Sequence, residues 1–233
     1  MSDVILMGPP GSGKGTQARL LVDTGGWAQL ATGDLFREHA RKGTSLGREA
    51  AEYMAKGLYV PDDVTIRMVE ARMRDVAAGT RMIFDGFPRT VAQAEALDPL
   101  LRANERRIGL VVLFEVARER LLERLGHRAT CSNCQAVYSP SSPPAVPGVC
   151  DRCGGPVAST ARPDDSPQIA RERLVVFDEK TRPVVEHYAS RGMLHRVNGE
   201  GAIEEIAARL RPLLNGSGTA TAAGRGAPTP GAV

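Results

Sequence analysis

Near its amino terminus the chain reads Val4-Ile5-Leu6-Met7-Gly8-Pro9-Pro10-Gly11-Ser12-Gly13-Lys14-Gly15-Thr16, a short apolar run followed by a glycine-rich loop. Glycines allow a backbone to wrap around an anion with successive N–H groups pointing inward. A helical pattern begins at Lys14, and its positive amino-terminal end strengthens such a site. Lys14 itself is spaced to reach the β- and γ-phosphates of a nucleotide. The order of strand, loop and helix therefore predicts a nucleotide site at the start of an α/β domain.

The residue after Lys14 departs from the general pattern of such loops. It is Gly15 rather than Ser or Thr, and the hydroxyl comes one place later at Thr16. Direct coordination of Mg2+ by that hydroxyl is therefore less favoured, and the ion depends more on nucleotide oxygens, water and a carboxylate elsewhere. Asp85, at the end of an apolar run, is the candidate carboxylate and would hold Mg2+ through water. The alternative is a structural aspartate that caps the following turn.

Further apolar runs indicate the remaining strands. They occur at 81–84 and 110–114, with a weaker run at 194–197. Because these runs do not alternate with polar residues, they are typical of strands buried on both faces of a parallel sheet. Helix-like stretches separate them, at 34–41, 46–56, 62–78, 90–103, 117–126, 168–190 and 202–214. The pattern predicts a doubly wound sheet flanked by helices.

Two segments look inserted into this α/β core. Residues 31–60 form a compact helical block, and residues 127–164 are rich in proline and contain every cysteine of the chain. The tail 215–233 consists mainly of Gly, Ala, Thr and Pro, so it has nothing to bury and is expected to be disordered. We assign the core to residues 1–30, 61–126 and 165–214.

The four cysteines form two pairs with the same internal spacing, Cys131-x2-Cys134 and Cys150-x2-Cys153. In a reducing compartment this spacing suits a tetrahedral zinc site in which each pair supplies two thiolates. With four protein ligands no position remains for water, so the metal would be structural. It would stabilise a segment too small to bury a core of its own. The alternatives are four free thiols or two disulfides.

Composition argues against several other classes of protein. The chain has 233 residues, 42% of them hydrophobic, and a net charge of only +3, which does not favour a dedicated nucleic-acid or membrane-surface binder. No run approaches the roughly 18 apolar residues of a membrane span, and the first residues lack the basic segment of a signal peptide. We therefore expect a cytoplasmic protein. The basic residues are 26 Arg and 4 Lys, and Arg presents a planar fork suited to phosphate.

Three motifs in this order resemble the adenylate kinase family: Gly8–Gln17, Ala31–Asp34 and Phe84–Thr90. The cysteine pattern resembles the zinc-containing bacterial form with a long lid. The resemblance implies a P-loop kinase core with a central parallel sheet, a helical AMP-binding insert at 31–60 and a zinc-stapled lid at 127–164. It also implies a monomer that reversibly transfers the γ-phosphoryl group of MgATP to AMP, giving two ADP.

The resemblance further assigns residues to the two substrates and to catalysis. ATP contacts are implied for Gly11, Ser12, Gly13, Lys14, Gly15, Thr16, Arg124, Arg128, Val137, Tyr138 and Gly201. AMP contacts are implied for Thr32, Arg37, Leu58, Tyr59, Val60, Gly86, Phe87, Pro88, Arg89, Gln93, Arg162 and Arg173. Within this set, the resemblance implies that Gln93 reads adenine and that Arg89, of the pair Pro88-Arg89, holds the AMP phosphate. Catalytic roles are implied for Lys14, Arg89, Arg124, Arg162 and Arg173.

Some residues depart from the family or stay open at this point. The family usually has Gly-Arg-Arg where this chain has 127–129, His-Arg-Ala, and Pro163 lies in the segment expected to act as the lid hinge. Asp165 either orients lid arginines, together with its neighbour Asp164, or caps the helix that begins near Ser166. Arg171 is interpreted as a helix-surface residue.

Two other functions compete with the first. A UMP or CMP kinase would use the same core, but Thr32, Gln93 and the long cysteine lid favour AMP. A nucleotide-switched zinc-ribbon protein that binds nucleic acid or a partner would be expected to carry a basic stripe with exposed aromatic residues. The near-neutral charge and the lysine-free cysteine segment disfavour that third hypothesis.

Overall fold

A computed structural model of the chain describes residues 2–134, 136–140, 142–158 and 165–216. The sequence-based predictions for Arg162, Pro163 and Asp164, and the disorder of residues 217–233, concern residues outside these ranges. Among the described residues, no helix is long and apolar enough to cross a membrane.

The central sheet of the described residues contains five parallel strands. With strands numbered in chain order, these are β1 (Ser2–Met7), β2 (Trp27–Ala31), β3 (Arg81–Asp85), β4 (Arg107–Glu115) and β8 (Leu194–Asn198). Their spatial order is β2-β3-β1-β4-β8, so β1 lies between strands that come later in the chain. The predicted α/β fold with a central parallel sheet is confirmed.

Strand β2 is the one strand of this sheet that no apolar run predicted. It pairs on one side only, with β3, and only Leu30 of its five residues is buried. An edge strand with one buried side chain does not need the continuous apolar run of a central strand. Its position matters because it carries Gln29 and ends where the helical block begins.

The helices flank the sheet and connect its strands. In chain order they are α1 (Lys14–Asp23), α2 (Thr32–Arg41), α3 (Ser45–Ala55), α4 (Asp62–Arg74), α5 (Val91–Ala103), α6 (Arg118–Gly126), α7 (Pro167–Val176), α8 (Arg182–Ser190) and α9 (Ile203–Gly216). Thus α9 extends two residues into the predicted tail. A separate antiparallel sheet lies in the cysteine segment and consists of β5 (Ala129–Cys131), β6 (Val137–Tyr138) and β7 (Val157–Ala158).

The sheet separates two hydrophobic clusters because successive side chains of a strand point to opposite faces. On β1, for example, Val4 and Leu6 pack into one cluster, whereas Ile5 and Met7 pack into the other. All four side chains are at most 3% exposed. This burial on both faces explains why the strands that the sequence predicted have continuous apolar runs.

The helical block packs closely because a glycine lies between two of its helices. A Cβ atom on Gly47 of α3 would lie 2.2 Å from the backbone carbonyl of His39 in α2, so only glycine fits this crossing. Phe36, Ala50 and Val60 form a small buried cluster there with side chains of α4. The block therefore has its own core beside the main sheet.

One long predicted helix, 168–190, is interrupted in the structure. Between α7 and α8 the residues Phe177–Thr181 form a single π-helical turn. Pro183 lies just after this turn; it has no N–H to donate, and its ring would clash with the carbonyl four residues earlier in a regular α-helix. The wider turn accommodates this proline without ending the helical path.

Candidate active site

The carboxyl ends of the parallel strands form one edge of the sheet, and a cleft opens there. Leu6 of β1 pairs with Asp85 of β3, and Ala31 of β2 also pairs with Asp85, so these ends lie side by side. Strand β1 has β3 on one side and β4 on the other, which is a switch in strand order. Ligands of open α/β sheets bind in the crevice outside such a switch point.

The glycine-rich loop lies at the centre of this cleft. Gly8 has a φ of 146°, and a Cβ atom there would lie 2.8 Å from Ser12 Oγ and 2.9 Å from the carbonyl oxygen of Phe114. Gly13 is the N-cap of α1, in the left-handed region with a φ of 94°, and no side chain caps the helix. The first N–H groups of α1 are therefore available to an anion.

Lys14 folds back over the loop and is enclosed by it. Its Nζ donates to the carbonyl oxygens of Gly8 at 2.6 Å and Pro9 at 2.9 Å, and to Ser12 Oγ at 3.1 Å. Burial lowers the pKa of Lys14 to about 7; nearby arginines act in the same direction, and Asp85 opposes them. A bound phosphate would supply the negative charge that restores the ammonium form.

Asp85 ends β3 directly beside Lys14. Gln29 Nε2 donates to its Oδ2 at 2.9 Å. Burial raises the pKa of Asp85 above its ordinary value, Asp34 adds to the rise, and Lys14 opposes it. A Cβ atom on Gly15 would lie 3.3 Å from Asp85 Oδ2, so the glycine after the lysine leaves room for this carboxylate at the helix start. The contact with Gln29 escaped prediction because β2 itself was not predicted.

A second cavity lies beside the loop. Leu58, Tyr59, Val60 and Gln93 line it, together with Thr32. The two cavities share a wall that includes three arginines, Arg37, Arg89 and Arg173. Two phosphorylated ligands bound side by side would thus meet at these guanidinium groups.

Arg89 is held from two sides at this shared wall. Its Nε donates to the carbonyl oxygen of Gly86 at 2.7 Å, and Thr32 Oγ1 donates to the same oxygen at 2.8 Å. The guanidinium group lies 4.9 Å from the centre of the Tyr59 ring, within cation–π range. Thr181 Oγ1 donates to the backbone carbonyl of Arg89 at 2.9 Å. These contacts fix the arginine before any ligand binds.

A carboxylate holds two other arginines of the cleft. Asp165 is fully buried and forms ion pairs with Arg173 at 2.8 Å and Arg128 at 3.2 Å. Helix α7 is capped instead by Ser166, whose hydroxyl accepts from the backbone N–H of Ile169. The structure therefore favours the first of the two roles considered for Asp165, the orientation of arginines.

Arg19 and Arg124 also line the cleft, and Asp34 links Arg19 to Arg37. Asp34 at the start of α2 forms ion pairs with Arg37 and, at 3.5 Å, with Arg19. Arg124 Nη1 donates to the carbonyl oxygen of Gly199 at 3.0 Å and approaches that of Gly11 at 3.4 Å. Asp34 belongs to the motif Ala31–Asp34, but the sequence assigned it no role, and no sequence signal identified Arg19, because their contact depends on how α1 and α2 lie relative to each other.

The remaining predicted site residues divide into three groups. Val137, Tyr138 and Gly201 line the cleft with the loop, as does Pro88. Phe87 does not: it is 1% exposed, belongs to the main core and lines neither cavity. Arg162, for which AMP contacts were predicted, lies outside the described ranges.

The four cysteines converge in the small antiparallel sheet. Their Sγ atoms all lie within 4.8 Å of one another, with Cys131 and Cys153 3.6 Å apart and Cys134 and Cys150 3.5 Å apart. None forms a disulfide. A zinc–sulfur bond of about 2.3 Å requires tetrahedral sulfurs about 3.8 Å apart, so the cluster has the donor set and size for such an ion.

Tyr138 connects this cluster to the cleft. Its hydroxyl donates to Cys150 Sγ at 3.3 Å and accepts from the backbone N–H of Asp151 at 2.9 Å. The same residue lines the cleft beside Val137. Hydrogen bonds to a ligating sulfur orient it for a metal ion.

The fold and the cleft together define a class, the P-loop proteins of α/β architecture, here with an arginine-lined second cavity next to the loop. Comparison with known proteins narrows the class. A family model described as adenylate kinase matches residues 6–193. The chain belongs to the adenylate kinase family.

Individual relatives agree with this assignment over nearly their whole length. An adenylate kinase of Geobacillus sp. (strain WCH70) is 44% identical over 215 residues, which is 92% of this chain and 99% of the relative. One from Moorella thermoacetica is 45% identical over 204 residues, 87% of this chain and 93% of the relative. One from Archaeoglobus fulgidus is 41% identical over 213 residues, 91% and 97% respectively.

Proposed function

We propose that this chain is a nucleoside monophosphate kinase that reversibly transfers the γ-phosphoryl group of ATP to AMP, giving two ADP. One observation carries the proposal: a phosphate-binding loop and a separate ligand cavity share a wall of three arginines, Arg37, Arg89 and Arg173. An enzyme that only hydrolyses a nucleotide needs one such cavity. Two cavities with a cationic wall between them suit a transfer between two phosphorylated ligands.

The transfer requires positioning and charge stabilisation and no covalent intermediate. The phosphate of AMP attacks the γ-phosphorus in line, so two polyanions must approach each other. Lys14 and the shared arginines offset their repulsion, and bidentate guanidinium contacts also fix the geometry. Because buried Asp165 and the carbonyl of Gly86 already orient Arg173 and Arg89, little reorganisation is needed at the moment of transfer.

On the ATP side, backbone N–H groups of Gly11–Thr16 would surround the phosphates, and Lys14 would turn from the loop carbonyls to the β- and γ-phosphates. Arg124 and Arg128 would contact the same phosphates, with Val137, Tyr138 and Gly201 beside the nucleoside. The adenylate kinase reaction uses Mg2+ bound to ATP, and this ion would shield the phosphate oxygens. Asp85, at the end of β3 beside Lys14, is proposed to hold it through water.

On the AMP side, Arg89 and Arg37 would hold the phosphate, and Arg173 would lie between the two substrates. Thr32, Gly86 and the segment Leu58–Val60 would form the walls of the nucleoside pocket, with Pro88 at its edge. Gln93 would read the adenine base. The proposed catalytic contribution of Arg162 rests on the resemblance to the family alone.

A closing lid completes the proposal. Residues 127–164 would close over ATP, so that water is excluded and the γ-phosphoryl group does not pass to water. We propose that the four cysteines bind a structural Zn2+ that holds the lid together. The monomeric state and the cytoplasmic location also stay predictions.

A panel of nucleoside monophosphates tests the proposal. With MgATP and AMP, UMP, CMP, GMP or dTMP supplied in turn, we expect rapid formation of ADP with AMP and little product with the others. Turnover of UMP or CMP in place of AMP would identify a kinase for pyrimidine monophosphates. Binding of ATP without phosphoryl transfer to any of the five would favour the nucleotide-switched ribbon protein.

A further inference from the structure

The side chain of Gln93 in the second cavity is held by a closed set of hydrogen bonds. The backbone N–H of Arg89 donates to Gln93 Oε1 at 2.7 Å, and Gln93 Nε2 donates to Asp62 Oδ1 at 2.7 Å. Thr90 Oγ1 donates to Asp62 Oδ2 at 2.9 Å and accepts from the backbone N–H of Gln93 at 3.2 Å. Gln93 is 1% exposed, so water does not compete for these groups.

The donors and acceptors around Gln93 allow only one orientation of its side-chain amide. A backbone N–H is always a donor and an ionised carboxylate is always an acceptor. The N–H of Gln93 therefore makes the Thr90 hydroxyl an acceptor there, and the hydroxyl proton must point to Asp62. A flipped Gln93 amide would face its NH2 group to the N–H of Arg89 and its oxygen to the carboxylate of Asp62. Both contacts would be repulsive inside a buried site, where unsatisfied polar groups are costly.

After these bonds are made, Gln93 has one N–H and one Oε1 lone pair left for a ligand. Adenine offers an amino donor at N6 and an acceptor at N1, and hypoxanthine offers an acceptor at O6 and a donor at N1. A fixed amide complements only one of these two edges. A site built to hydrogen-bond one edge rejects the opposite edge strongly, because its buried groups are left unpaired.

We infer that Asp62 is a specificity-determining residue: by fixing the orientation of the Gln93 amide, it makes the second cavity select adenine over 6-oxopurine monophosphates. This inference rests on the proposed function, in which Gln93 reads the base of AMP. Asp62 itself is not among the residues that line the cavity, so it acts through Gln93 as a positioning residue.

The test compares AMP with inosine monophosphate, which differs only at the relevant edge of the base. Asp62→Asn keeps the shape of the side chain but offers either an oxygen or an NH2 group to Gln93. We expect the ratio of kcat/KM for AMP to kcat/KM for inosine monophosphate to fall about tenfold or more, mainly through a gain on inosine monophosphate. Asp63→Asn is the matched control, because Asp63 also lies in the first turn of α4 but is exposed and pairs with Arg67. It should leave the ratio unchanged.

Equilibrium binding of the two monophosphates, measured without ATP, provides the readout that a merely structural role would not move. Equal losses for both ligands in Asp62→Asn, or a ratio within twofold of the wild type, would overturn the inference. If Asp62→Asn does not fold, Asp62→Ser is the second variant. A serine hydroxyl can accept from the NH2 group of Gln93 or donate to its oxygen, so it does not favour one orientation of the amide. A wild-type enzyme that binds AMP in preference to inosine monophosphate but transfers no phosphoryl group would refute the proposed function and leave this inference standing.

Discussion

At the scale of single residues, the cleft is built from charges that are partly neutralised before any ligand arrives. Lys14 is the clearest case, because the loop that should bind phosphate encloses it and lowers its pKa to about 7. Its Nζ donates to backbone carbonyl oxygens, which a bound phosphate would replace as partners. Arg89 and Arg173 are likewise oriented by a backbone carbonyl and by Asp165. On the proposed function, ligand binding would exchange these internal partners for phosphate oxygens.

This exchange predicts that ATP binding takes up a proton above neutral pH. At pH 8 a lysine with a pKa of about 7 is mostly neutral in the free protein, and bound phosphates raise that pKa, so proton uptake approaching one per ATP is expected. Calorimetry in buffers of different ionisation enthalpy measures it. In Lys14→Arg the group is charged throughout, and the uptake should disappear. Equal uptake by both proteins would contradict this account of Lys14.

Arg89 allows a second prediction at this scale. Arg89→Ala should lower kcat/KM for AMP by about a hundredfold or more, because the charge proposed to hold the AMP phosphate is lost. Arg171→Ala is the control, since Arg171 is exposed on α7 close to Arg173 in sequence. Steady-state kinetics with AMP as the varied substrate give the comparison. A decrease of less than tenfold for Arg89→Ala, or an equal decrease for both variants, would contradict the proposed role.

At the scale of secondary structure elements, the sequence predicted the features that depend on neighbouring residues and missed those that depend on tertiary packing. The loop before α1, the paired cysteines and the apolar runs of β1, β3 and β4 each depend on neighbouring residues, so the sequence indicated them. Strand β2 lacked such a signal because an edge strand buries little. Asp62 was missed for another reason: it lies 31 residues from Gln93, and only the packing of α4 against α5 brings them together.

The cysteine segment carries the prediction that belongs to this scale. Its three short strands bury few side chains, so a metal ion should supply much of its stability. We expect about one Zn2+ per chain in elemental analysis and a lower Tm after treatment with a chelator. A protein purified without metal, whose melting is unaffected by added Zn2+ and by chelator, would contradict the structural zinc site.

At the scale of the whole molecule, one end of the central sheet forms the ligand cleft and the other end stabilises the fold. The carboxyl ends of the strands form the cleft, whereas the amino ends are joined by a buried ion pair. Arg106, just before β4, donates to both oxygens of Asp3 at 2.7 Å and also to the carbonyl oxygen of Thr80. The backbone N–H of Met82 donates to Asp3 as well. Three neighbouring strands are thus fixed at the end opposite to the site.

The ion pair predicts a large loss of stability without a loss of chemistry. Asp3→Asn leaves a nearly buried arginine without its counter-charge, which should lower the free energy of unfolding by about 3 kcal/mol. Asp98→Asn, which breaks a more exposed pair with Arg191, should cost less than about 1 kcal/mol. Denaturant unfolding measures both, and kcat/KM at 25 °C should change little in either. Equal losses of stability in the two variants would contradict the role of the Asp3–Arg106 ion pair.

The central claim is that two nucleotides meet at the shared wall of Arg37, Arg89 and Arg173 and exchange a phosphoryl group there. The most direct measurement follows a labelled γ-phosphate of MgATP in the presence of AMP. We predict that the label appears in the β-phosphate of the ADP formed from AMP, with little released to water. Label found only in inorganic phosphate, or in the diphosphate of a different base when several monophosphates compete, would contradict this claim.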